Sequence, residues 1–178
     1  MVCLKERCST SAKRSGNKKL KKKQPQLTYQ KATLKNARAI HELVNSFAQR
    51  NRMLPRSLNE IYELIRDFYI CLDKDKVVGV CSLHIVWEDL AEIRSAAVMK
   101  KYQKKGIGSK LINYCLKEAS ALGANNVFAL TYLSEYFKHL GFEDIDKNEL
   151  PHKIWGDCLK CPKFPGCEEV AVIIRLEG

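Results

Sequence analysis

The chain has 178 residues, 46% hydrophobic and 29% charged, a balance that predicts one soluble globular domain rather than a fibre or a disordered polymer. Its longest apolar runs, such as Val77–Leu83 and Val170–Ile174, fall far short of the roughly 20 residues that a membrane-spanning helix needs, so no membrane span is expected. The net charge of +11 would suit a nucleic-acid binder, but residues 1–24 hold nine Lys or Arg against one acid, and the other 154 residues hold 22 bases against 19 acids.

Residues 1–25 therefore read as a basic tail. They have little apolar content and no helical period, which predicts disorder. No apolar core follows the charges, so a secretory signal is not expected. The tail reads as a solvated extension, with a nucleic-acid-binding arm as the alternative. The body, residues 26–178, is nearly neutral. Eight cysteines without an export signal fit a reducing, cytoplasmic compartment. Cys71, Cys81 and Cys115 sit inside apolar patterns and read as small core residues.

Leu27–Leu34 alternates loosely and predicts a first strand. Ile40, Leu43, Val44 and Phe47 recur at helical spacing, which predicts a helix opening at Lys35 or Asn36. Arg50–Pro55 breaks it. Ser57, three residues before Glu60, is a capping-box spacing for a second short helix. Phe68–Leu72 and Val77–Trp87 read as a hairpin around the charged turn 73–76. Ala91–Met99 is a third strand of this meander. Gly108–Leu122 is an amphipathic helix with Leu111, Ile112, Cys115, Leu116 and Ala119 on one face and Gly123 as its stop. Val127–Thr131, a short helix over Ser134–Leu140, Phe142–Ile145 and Val170–Leu176 complete the chain. No internal repeat is found. The order predicts a mixed α/β sheet with a hairpin meander first and a strand–helix–strand crossover second.

The sharpest local feature is the loop between strand and helix, Gln103-Lys104-Lys105-Gly106-Ile107-Gly108-Ser109. Glycines let the backbone approach an anion, free N–H groups and the helix dipole favour phosphate, and the lysines attract it from a distance. The spacing matches neither a P-loop nor a dinucleotide fingerprint, whose third glycine is Leu111 here. An ordinary strand–helix turn with surface lysines is the plain alternative.

Gln103-x-x-Gly106-x-Gly108, with the later Leu140-Gly141-Phe142 turn, resembles the acetyl-coenzyme A loop of the GNAT N-acetyltransferases over residues 26–146. Further segments are similar to the acetyltransferase domain of the N-acetylglutamate synthases, in a short form without an amino-acid-kinase domain. They are Met53-Leu54-Pro55-Arg56-Ser57, Glu92-Ile93-Arg94 in the central strand, Leu130-Thr131-Tyr132, Leu150-Pro151, and Trp155 with Cys158, Cys161, Pro162, Phe164, Pro165 and Cys167. The resemblance implies a GNAT fold, a mixed sheet of six to seven strands with about four helices. It implies acetyl-CoA as co-substrate, no metal, L-glutamate as the amine, and the entry step to arginine biosynthesis; the alternatives are another amino acid or a protein N-terminus as acceptor, or an acetyl-CoA-sensing regulatory module with a nucleic-acid-binding tail. A homo-oligomer is compatible with it.

Residue roles follow from the resemblance. Ala97, Val98, Gln103, Lys104, Lys105, Gly106, Ile107, Gly108 and Ser109 would hold the coenzyme. Glu92 would be the base that deprotonates the incoming ammonium, or alternatively an ion-pair partner of Arg94 on the same strand face. Thr131 would return a proton to the thiolate. Many family members use a Tyr four residues before the glycine of the Leu-Gly-Phe turn, where this chain has Phe137; Tyr132 and Tyr136 are the alternatives. Arg56, Arg94 and Lys163 would bind glutamate's carboxylates, to which a guanidinium is suited. Cys158-x-x-Cys161 with Cys167 and His152 reads either as a zinc site or as reduced cysteines ordering a C-terminal loop.

Overall fold

The computed structural model describes residues 26–150 and 166–176. The basic tail, Lys163, and the His152, Cys158 and Cys161 of the possible zinc site lie outside the described residues.

The elements run β1 (Leu27–Lys31), α1 (Ala37–Ala48), α2 (Leu58–Glu63), β2 (Phe68–Asp73), β3 (Lys76–Trp87), β4 (Leu90–Val98), α3 (Ile107–Ala121), β5 (Asn126–Thr131), α4 (Ser134–Lys138), β6 (Glu143–Ile145) and β7 (Val170–Arg175). Their order matches the sequence reading, with ends moved by a few residues. The first strand stops at Lys31, and a short turn over Leu34–Asn36 leads into α1. Among the described residues the strands form one mixed, seven-stranded sheet of order β1-β2-β3-β4-β5-β7-β6, the mixed α/β architecture that the GNAT fold implied.

Alternation along the strands sends side chains to opposite faces. Ile70, Val80 and Ala97 go to one face, where they meet Ile40 and Val44 of α1 and Ile61 of α2. Cys71, Cys81 and Ile93 go to the other and meet Leu111, Ile112 and Cys115 of α3. The three cysteines are fully buried, as their apolar context predicts. The expected capping box opens α2: Ser57 Oγ accepts the Glu60 N–H at 3.2 Å, and Glu60 Oε2 accepts the Ser57 N–H at 2.7 Å. No helix among the described residues is long and apolar enough to cross a membrane.

Gly79 on β3 sets how closely α3 can lie. A Cβ there would stand 3.0 Å from Ile107 Cγ2 and 3.1 Å from Leu111 Cδ1. Both are core side chains, so Gly79→Ala is expected to lower stability by about 1–3 kcal/mol, the usual cost of overpacking. A drop in the urea midpoint at unchanged slope checks this.

The feature that makes a site is the parting of β4 from β5. These parallel neighbours pair only at Leu90↔Asn126, Ala91↔Val127 and Glu92↔Phe128. Beyond that point β5 stays with β7 as far as Thr131, and β4 stays with β3 as far as Val98. A bulge accompanies the parting. The β3–β4 register shifts between Val80↔Ala97 and Ser82↔Arg94, and Ser95 takes a left-handed φ of 51°. The extra residue bends β4 and strengthens its twist.

Candidate active site

A cleft of about 1160 Å³ opens where the two strands part. Residues 92–98 of β4, the loop into α3, residues 129–133 at and beyond the end of β5, and Tyr136 of α4 line it, as does the segment joining α1 to α2. Its described lining carries Arg50, Arg52, Arg56, Arg94, Lys100, Lys104 and Lys147 against two acids, Glu92 and Glu169. The cleft is therefore strongly cationic although the body of the chain is nearly neutral, and such a cleft concentrates anions.

Tyr102 anchors the loop before α3. Its ring is buried, and its hydroxyl donates to Asp73 Oδ2 at 2.6 Å. Gln103 acts as a strut, its Nε2 donating to the Val98 carbonyl at 2.9 Å. Lys104 and Gly106 take left-handed φ values of 59° and 74°. This turns the chain so that Gly106, Ile107, Gly108 and Ser109 meet the cleft. The first N–H groups of α3 have no partner within the helix and suit an anion. A Cβ on Gly106 would meet open space, which leaves room for a ligand against the backbone. Lys104 lines the cleft, whereas Lys105 extends over the Tyr102 ring, 5.2 Å from its centroid. Ala97 and Val98 also line it, on a stretch of β4 that no β5 residue pairs. Together these features fit a long ligand with an anionic end and amide groups.

Glu92 lies at the apex of the parting strands and is 7% exposed. Its Oε2 accepts from Arg94 Nε at 2.5 Å, so the two stand together in the cleft. The sequence reading left base and ion-pair partner as alternatives; the structure shows the ion pair and places it in the cleft.

Thr131 is buried at the end of β5, and its Oγ1 accepts the Leu133 N–H at 2.9 Å. That bond occupies a lone pair and leaves the hydroxyl proton to donate. Phe137 is a core residue, edge-on to Phe142 at 5.1 Å. Tyr136 beside it lines the cleft, its hydroxyl 3.1 Å from Ser109 Oγ. Burial pushes its pKa up, against a smaller opposing effect of the Ser109 hydrogen bond, so the phenol keeps its proton at neutral pH. A Cβ on Gly108 would come within 2.6 Å of this hydroxyl, so a side chain there would displace the Tyr136 phenol.

Arg56 is positioned through its backbone. Asn45 of α1 donates from Nδ2 to the Arg56 carbonyl at 2.8 Å and accepts the Arg56 N–H on Oδ1 at 3.2 Å. The guanidinium reaches Glu60 Oε1 at 3.3 Å and faces the cleft. The Ser57 N–H, with lesser help from the Ser57 hydroxyl and Arg56, holds the Glu60 carboxyl below its ordinary range against the opposing effect of burial. Sequence reasoning missed Asn45; its only signal is a polar residue beside the apolar face of α1. Cys167 also lines the cleft, its thiol 3.7 Å from Glu169 Oε2.

Residues 37–142 match the acetyltransferase (GNAT) family. An uncharacterized N-acetyltransferase from Chlorobaculum tepidum is 41% identical over 145 residues, 82% of this chain and 94% of that protein. An amino-acid acetyltransferase from Mycobacterium tuberculosis is 33% identical over 122 residues, 67% of this chain and 70% of that one. The structure of N-acetylglutamate synthase from Neisseria gonorrhoeae, complexed with coenzyme A and N-acetyl-glutamate, superposes with a TM-score of 0.79 at 23% identity. That likeness is one of fold, and it covers 85% of this chain but only 35% of the Neisseria chain.

Proposed function

The chain belongs to the acetyltransferase (GNAT) family, and on that premise we propose that it moves the acetyl group of acetyl-CoA to the α-amine of L-glutamate, the entry step to arginine biosynthesis. The observation that carries this reading is the presence of one buried carboxylate, Glu92, in a cleft whose described lining holds seven Arg and Lys against two acids. A base is needed for an amine that arrives as ammonium. Fixed cations are needed for a substrate with two carboxylates. The Mycobacterium amino-acid acetyltransferase and the fold of the Neisseria synthase support the same substrate class.

Acetyl-CoA supplies the acetyl group as a thioester. Residues 106–109 at the start of α3, with Lys104, are suited to its pyrophosphate, and the unpaired stretch of β4 at Ala97 and Val98 to its amides. Arg56 binds a substrate carboxylate, with Arg94 and Lys163 assigned to the same task. Glu92 takes a proton from the ammonium. Thr131 donates a proton to the departing thiolate, and Tyr136, a protonated phenol in the same cleft, is the second donor. Amine and thioester meet in one ternary complex, so no acyl-enzyme forms.

Thiol release from acetyl-CoA by the purified full chain, measured against the twenty amino acids, tests the reading. A response to L-glutamate above all others is expected. A response centred on aspartate, lysine or glutamine would keep the acetyltransferase and discard the arginine-pathway step.

A further inference from the structure

His84 lies one strand behind Glu92. The two are register partners on β3 and β4. Their side chains therefore leave the same face of the sheet, with Cβ atoms about 5 Å apart. On its other side, His84 Nδ1 lies 3.0 Å from Oδ2 of Asp67, the residue just before β2. Asp67, His84 and Glu92 thus come from three adjacent segments, β2's start, β3 and β4, in one row. Glu92 lines the cleft, while the His84 and Asp67 side chains are 32% and 26% exposed. The row runs from the cleft toward water.

Asp67 is bonded to this histidine from the β2 side, and Glu92, itself bonded to Arg94, is its register partner on the β4 side. Glu92, bonded to Arg94, must pass the proton on before the next turnover. An imidazole can accept a proton at one ring nitrogen and release it again, and a carboxylate on the other ring nitrogen fixes the tautomer and aims the free one. We infer that His84, oriented by Asp67, is a positioning residue that carries the substrate's ammonium proton from Glu92 out to solvent. The proton leaves the substrate nitrogen for Glu92. It passes to His84 Nε2, giving a carboxylate and an imidazolium, and the imidazolium returns it to water. No other bond changes.

This inference rests on Glu92 being the base, so the test includes that residue. Thiol release with saturating acetyl-CoA and L-glutamate would be followed for Glu92→Gln, His84→Gln, His84→Ala and Asp67→Asn in the full chain, beside their melting temperatures. His84→Gln keeps a donor for Asp67 but cannot take the proton. It is expected to lower kcat tenfold or more with KM for acetyl-CoA unchanged. Asp67→Asn should lower kcat by less. Added imidazole should restore kcat to His84→Ala and not to Glu92→Gln. Wild-type kcat in His84→Gln beside an inactive Glu92→Gln would overturn the relay alone. So would a lower melting temperature with no imidazole rescue, which marks a structural role. Wild-type kcat in Glu92→Gln would overturn the base assignment and the relay with it.

Discussion

Replacement of Glu92 by glutamine is expected to lower kcat by about a hundredfold to ten-thousandfold, the range over which a positioned general base acts. The substitution keeps side-chain volume and an oxygen to accept from Arg94, but it removes the charge of the buried ion pair together with the basicity, so the melting temperature is followed beside turnover. Glu92 is buried at the apex of the parted strands, and its neighbour Ala91 lies in the core. The groups assigned to the coenzyme lie elsewhere on the cleft wall, at Ala97, Val98 and residues 103–109. Acetyl-CoA affinity, measured by calorimetry, should therefore match the wild type while turnover collapses. Unchanged turnover would return Glu92 to the role of ion-pair partner.

Replacement of Arg56 by alanine is expected to raise KM for L-glutamate by roughly ten- to 150-fold, the loss of a charged hydrogen bond of about 1.5–3 kcal/mol. The guanidinium also reaches Glu60 four residues on. Such partly exposed pairs contribute only about 0.2–1 kcal/mol, so the fold should hold. KM for acetyl-CoA should not move, because Arg56 lies on the α1–α2 side of the cleft, away from α3. Lysine should rescue in part, since it restores charge but not the two-pronged geometry. Parallel rises in both KM values would mean that the substitution deformed the cleft rather than removed a carboxylate ligand.

What was legible in the sequence was local. The Ser57–Glu60 box declares itself because both partners lie within four residues, and the buried stripe of α3 because period alone places Leu111, Ile112 and Cys115 together. The loop from Gln103 to Ser109 could be recognised as a ligand loop. Its interior division of labour could not: Gln103 and Lys104 line the cleft, Gln103 also bracing the Val98 carbonyl, whereas Lys105 lies over Tyr102. Neighbouring lysines look alike until the backbone turns at Lys104 and Gly106. The bulge at Ser95 carries no glycine or asparagine to announce a left-handed residue, so the bend of β4 was invisible, and only the family resemblance pointed to free strand edges at Ala97 and Val98. Contacts that cross elements were equally hidden. Asn45 grips Arg56 from 11 residues away, and the row of Asp67, His84 and Glu92 exists only once β3 and β4 are in register and the turn before β2 is placed beside them. The placement of β7 between β5 and β6 is likewise a long-range pairing that no local pattern encodes.

The most direct measurement is the ratio of kcat/KM for L-glutamate to that for L-glutamine, taken side by side from thiol release. The two acceptors share the α-amine, the α-carboxylate and the shape, and differ only in the second carboxylate that the cationic cleft is proposed to hold. A site built around that charge should favour glutamate by about a hundredfold or more. A ratio near one would contradict the account, because the arginines of the cleft would then be serving something other than a dicarboxylate.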